Sequence, residues 1–162
     1  MNIILKNKFL YFENYKLQCS IGKSGISSKK REGDNKTPRG NFKFKYILYR
    51  KDRISNLRTI LEKKIIKKNM GWCDDPKSKF YNQLIKFPFK YSAEKLWLKK
   101  NVYDIIVVID YNLSPIIKNK GSAIFLHITK KYEETKGCVA INLKNMKLII
   151  SKIKKKTKLQ IC

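Results

Sequence analysis

Apolar and polar positions alternate in short runs through the first fifty residues, and a period of two predicts strands rather than helices. Ile3-Ile4-Leu5 and Phe9-Leu10-Tyr11-Phe12 flank Lys6-Asn7-Lys8 and read as a hairpin. Glu13-Asn14-Tyr15 reads as the next turn, and Lys16 to Ile21 as a third strand. A long polar stretch, Gly22 to Gly40, comes next, and loops of that length in a compact domain are usually functional or mobile. Alternation resumes from Asn41 to Tyr49, with Phe42, Phe44 and Tyr46 on one face of a strand.

The second half changes period. Arg53 to Lys68 has no strict repeat and reads as a charged insert or a short helix. Ser92 to Trp97 begins with a plausible N-cap and reads as one or two helical turns. Tyr103 to Tyr111 (YDIIVVIDY) and Ala123 to Ile128 (AIFLHI) are continuous apolar runs of strand length, as expected of buried strands. Between Asn142 and Lys154, Leu143, Met146, Ile149, Ile150 and Ile153 make a helical stripe, and Thr157 to Cys162 reads as a closing strand. The pattern is mainly β with one late helix and short helical turns. Residues 1–162 show no linker or internal repeat, so a single domain is expected.

Charge adds a second layer. Lys and Arg number 38 against 12 Asp and Glu, for a net +26. Non-specific attraction to polyanions at low salt is expected from such a balance. Lysine supplies 33 of the basic residues and arginine only 5. Specific base readout leans on the bidentate guanidinium, so specific nucleic-acid recognition is not expected. The abundance of Lys, Ile and Asn together is also what an AT-rich genome produces.

Cysteines stand at 19, 73, 138 and 162, with no C-x-x-C pair, and there is a single histidine. Neither a zinc ribbon nor a structural metal is implied, and no cofactor is expected. Asn2 to Leu5 is too short an apolar run for a signal peptide, and no stretch approaches the ~20 residues of a transmembrane helix.

Chemistry concentrates near the end of the second apolar run. His127 closes Ala123-Ile124-Phe125-Leu126, and Thr135-Lys136-Gly137-Cys138 follows across a polar loop. A thiol needs a nearby base to become a nucleophile, and imidazole suits that task near neutrality. Gly137 lets the backbone turn tightly, so that neighbouring N–H groups can face a developing oxyanion. Taken alone, this pair does not settle the chemistry, because an isolated Gly-Cys is common and a strand histidine is often only packed.

Other segments recur around it in order: Gly22-Lys23-Ser24-Gly25, Glu32-Gly33-Asp34, Thr37-Pro38-Arg39-Gly40, MGWCDDP, YDIIVVIDYN, GSAIFLHI and TKGCVAIN. Together, over roughly Ile21 to Ile141, they resemble the L,D-transpeptidase (YkuD-like) catalytic domain, in particular its compact bacterial branch. The resemblance implies a β-sandwich-like fold and a cleft cysteine that attacks a diamino-acid carbonyl in a peptidoglycan stem tetrapeptide. The terminal D-Ala leaves, and an amine or water resolves the thioester. By the same resemblance Cys138 is the nucleophile, His127 the base, and Gly137 with the Cys138 N–H the oxyanion hole. Thr135 matches the Ser/Thr of the signature.

Two positions depart from the common pattern. Lys136 replaces a histidine before the Gly-Cys pair, and Ala140 replaces an Arg or Asn after it. Substrate contacts are therefore sought at Trp72, Asp74 and Asp75. A Trp wall with paired carboxylates would hold the ammonium of a diamino acid, although Asp-Asp-Pro is also an ordinary turn and Trp72 an ordinary core residue. Arg39 is a candidate partner for a substrate carboxylate.

The resemblance further implies a cell-envelope location and a part in cell-wall biogenesis and cell shape. The chain's opening leaves a cytoplasmic location open. Two alternatives remain at this level: the same site used with water as a carboxypeptidase or amidase, and a basic polyanion-binding module on the same fold.

Overall fold

The computed structural model describes residues 1–28 and 31–162; positions 29 and 30, within the expected Gly22–Gly40 loop, lie outside the described residues. The chain opens with β1 (Asn2–Lys6), β2 (Phe9–Phe12) and β3 (Tyr15–Gln18), a meander with Ile3, Leu5, Leu10, Phe12 and Leu17 turned inward. Tyr15 belongs to the third strand rather than to the turn before it, because Glu13 takes φ +48 and completes the reversal with Asn14.

Two short strands, β4 (Ile26–Ser27) and β5 (Thr37–Pro38), pair with each other inside the polar loop. The long β6 (Gly40–Tyr49) follows, with β7 (Lys63–Ile65) paired in parallel along its end. The Arg53–Lys68 segment is therefore mostly irregular with one short strand, and not a helix.

Next come β8 (Met70–Cys73), β9 (Leu84–Lys86) and β10 (Ala93–Lys95), a separate three-stranded sheet in the order β10-β8-β9. The helical turn expected at Ser92 to Trp97 is corrected here. Ala93–Lys95 pairs antiparallel with Gly71–Cys73, and the Ser92 hydroxyl donates to Asp74 Oδ1 at 2.6 Å instead of capping a helix. A helix nucleus of one turn is unfavourable, so ready-made strand pairing prevails.

A 3-10 turn at Asn101–Tyr103 leads into β11 (Ile105–Ile109), β12 (Phe125–Ile128) and β13 (Val139–Ile141). The helix α1 (Leu143–Lys152) and strand β14 (Lys158–Ile161) finish the chain. Asn142 caps α1 by accepting the Asn145 N–H at 2.8 Å.

Among the described residues the main sheet has nine strands, ordered β13-β12-β11-β6-β14-β1-β2-β3, with β7 alongside β6. Just past β3 the chain returns to the other end of this order. The Ser20 N–H donates to Ala140 O at 2.8 Å and the Ala140 N–H to Ser20 O at 3.0 Å. The sheet thus curls until its first and last members meet.

Both faces of its centre are covered, which is why YDIIVVIDY is apolar without alternation. Ile105, Val107 and Ile109 join Leu126, Ile128 and the inner face of α1 in one core. Ile106 and Val108 join Phe125, Trp72 and Tyr103 in a second core under the β8–β10 sheet. Each fully buried Ile, Leu or Phe contributes about 1.5–3 kcal/mol of burial free energy. The architecture is mainly β with one late helix. No helix among the described residues is long and apolar enough to cross a membrane.

Candidate active site

β12 and β13 run parallel, with His127 opposite Ala140 and Leu126 opposite Val139. Side chains along a strand alternate between faces. His127 and Phe125 therefore share one face of β12 while Leu126 and Ile128 enter the opposite core. Cys138, one residue before β13, stands beside Phe125 on that same face. The nucleophile and base expected from sequence are thus diagonal neighbours across adjacent strands, and both line one cleft of about 590 Å³.

The thiol has two backbone partners. Cys138 Sγ donates to Ala123 O at 3.1 Å and accepts from the Phe125 N–H at 3.4 Å.

His127 is buried, with Nδ1 2.9 Å from Ile128 O. A carbonyl only accepts, so Nδ1 carries the hydrogen and Nε2 the basic lone pair. The imidazole is thus held through Nδ1 by a backbone carbonyl. Burial lowers the His127 pKa below its ordinary value, and backbone hydrogen bonds to Ile128 and Val102 oppose this in part. Tyr103 packs edge-on against the ring, with centroids 5.3 Å apart and planes at 86°. The Tyr103 hydroxyl donates to Glu94 Oε1, and burial raises the Glu94 carboxyl above its usual range.

The loop bearing Thr135 and Gly137 is folded on itself. Thr135 Oγ1 donates to Cys138 O at 2.7 Å and accepts the Gly137 N–H at 3.1 Å. Gly137 has φ +143, and a Cβ there would stand 2.8 Å from Lys36 O. Only glycine fits both demands.

The substrate residues sought in sequence separate into two groups. Asp74 lines the cleft. Trp72 does not: it is a core residue packed edge-on against Phe125 at 5.0 Å, with its indole N–H on Asn82 Oδ1 at 2.9 Å. Asp75 shapes a turn, accepting the Lys77 N–H at 3.0 Å and the Ser92 N–H at 3.4 Å. Arg39 is exposed and does not line the cleft.

Glu32, in the polar loop expected from sequence to border the cleft, lines it together with Asp74, and so do Glu94, Glu133 and Glu134, which sequence reasoning missed. Five of the chain's 12 acidic residues thus border one cavity, against two lysines there, Lys100 and Lys136. The cleft wall is acidic on a chain of net +26.

The YkuD family model, described as the L,D-transpeptidase catalytic domain, matches residues 3–161. The chain belongs to this family, and the mainly β fold with its late helix agrees with the match. A search of the curated proteins found no match.

Proposed function

We propose that the protein is a cysteine-dependent L,D-transpeptidase acting on peptidoglycan stem peptides. The observation that carries this reading is the placement of Cys138 and His127 side by side on one sheet face, opening on one cleft.

His127 rests neutral because burial disfavours its charged form. The thiol turns from Ala123 O, passes its proton to Nε2, and the thiolate attacks the carbonyl of the diamino acid. The Ile128 and Val102 backbone bonds favour the imidazolium that results. The N–H groups of Gly137 and Cys138 receive the developing oxyanion, Gly137 exchanging its bond to Thr135 Oγ1 for this one. Collapse expels D-Ala, which takes its proton from the imidazolium, and leaves a thioester on Cys138. An amine then attacks the thioester and regenerates the thiol. The acidic wall suits a substrate with a free ammonium; of the paired carboxylates sought in sequence, Asp74 is the one placed for it.

The test is incubation with a stem tetrapeptide. Wild type should release D-Ala and form a cross-linked dimer, and Cys138→Ala should do neither. Unchanged release by Cys138→Ala would overturn the assignment. A shortened peptide without dimer would identify water as the acceptor.

A further inference from the structure

Ala123 has φ +53, a left-handed conformation that a residue with a Cβ seldom adopts. Its carbonyl is the acceptor of the Cys138 thiol, at 3.1 Å. Asn82 holds the same residue from its other side, through the Ala123 N–H. Asn82 Oδ1 accepts the Ala123 N–H at 3.0 Å and the Trp72 indole N–H at 2.9 Å. Its Nδ2 donates to Asn112 O at 2.7 Å and to Tyr111 O at 3.3 Å. All four hydrogen-bonding positions of the amide are filled, and the residue is only 2% exposed. Asn82 itself sits at φ +56, where asparagine is among the best-tolerated residues.

We propose that Asn82 is a positioning residue for the nucleophile: by fixing Ala123 in its left-handed conformation it aims the carbonyl that holds the Cys138 thiol between turnovers. The proposal rests on Cys138 being the reactive group. The Trp72 indole N–H, from the MGWCDDP segment, shares the same Asn82 oxygen. Hydrogen bonding to a carbonyl favours the neutral thiol over the thiolate. Releasing the Ala123 peptide should therefore ease ionisation of Cys138.

The titratable groups facing the thiol are His127 on β12, Tyr103 on the 3-10 turn and Glu94 on β10, with Glu32, Asp74, Lys100, Glu133, Glu134 and Lys136 around the same cleft. Asn82→Gly leaves all of these in place. Glycine accepts the left-handed backbone at position 82 without strain, so the variant removes the amide alone.

The experiment is the pH dependence of Cys138 alkylation by iodoacetamide, read by peptide mass. In Asn82→Gly the midpoint should move to lower pH by about half a unit or more. Trp72→Phe, which loses the other donor to Asn82 Oδ1 and some core packing, should keep the wild-type midpoint. Coincident profiles for Asn82→Gly and wild type would overturn the proposal, as would an equal shift in Trp72→Phe. A second measurement needs no folded variant at position 82. The S–H stretch of wild-type Cys138, assigned by difference from Cys138→Ala, should lie at the lowered frequency of a donating thiol. A band at the frequency of an unbonded thiol would overturn the proposal. Neither readout depends on peptide turnover, so failure to release D-Ala would count against the proposed function and leave this inference to its own result.

Discussion

Thr37 and Gly137 are 100 positions apart in the chain, yet the Thr37 hydroxyl donates to Gly137 O at 2.9 Å. Thr37 Oγ1 itself accepts the Gly22 N–H at 2.8 Å, and Thr37 is fully buried. One hydroxyl therefore ties the start of the polar loop, its far end and the turn that presents Cys138. Thr37→Val would leave two buried backbone groups without that partner, at a cost of about 1–3 kcal/mol each. Thermal unfolding should show a clearly lowered Tm, with Thr37→Ser restoring most of it because the hydroxyl returns.

Gly137 meets a steric limit as well as a conformational one. A methyl at this position would crowd Lys36 O at 2.8 Å and Ile124 Cδ1 at 3.2 Å. The first of these is backbone and cannot swing aside. Gly137→Ala should cost roughly 1–3 kcal/mol in backbone strain, and misplacement of the adjacent Cys138 should lower turnover by about 10²-fold. Denaturant unfolding and D-Ala release, measured on the same preparation, check both parts.

The acid side of the pH profile follows from His127. Its pKa is lowered by burial, with Ile128 and Val102 opposing in part. The unfolded chain, near the ordinary imidazole value of about 6.5, takes up protons at a higher pH than the folded one does. The stability gained from a neutral buried ring is thus present above that value and lost as pH falls through the folded pKa. Wild-type Tm should fall between about pH 7 and pH 5, more steeply than in His127→Gln. The acid limb of the rate profile should lie below about 6.5, and His127→Ala should lose ~10²–10⁴-fold in rate.

The four cysteines should sort by environment. Burial pushes the Cys19 thiol up to about 12. Cys73 is fully buried, with Sγ 4.0 Å from Asp75 O, whereas Cys162 is exposed. Iodoacetamide on the native protein should label Cys138 and Cys162, with Cys19 and Cys73 reacting only after denaturation. A peptide map showing Cys73 modified before Cys138 would contradict this.

How much of this was legible in the sequence depends on the range of the forces involved. The apolar runs of β11 and β12 and the stripe of α1 announced themselves because each buries enough surface to dictate its own period. His127 and Cys138 were legible through the ordered segments around them, since the pair taken alone did not settle the chemistry. Ala93–Lys95 was not, since a three-residue strand takes its conformation from its partner, here Gly71–Cys73. Trp72 looked like a cleft wall when read beside Asp74 and Asp75. Asp74, one residue past the end of β8, lines the cleft, whereas Trp72 within the strand is buried in the core. The contributions of Glu94, Tyr103 and Asn82 arise from pairings between distant segments, which no local pattern encodes.

The central claim is that Cys138 forms a thioester-type acyl enzyme in the cleft. Intact-mass spectrometry after incubation with a carbapenem, wild type beside Cys138→Ala, tests it most directly. The account predicts one covalent adduct on wild type and none on Cys138→Ala. The same adduct on both proteins, or none on wild type, would contradict it.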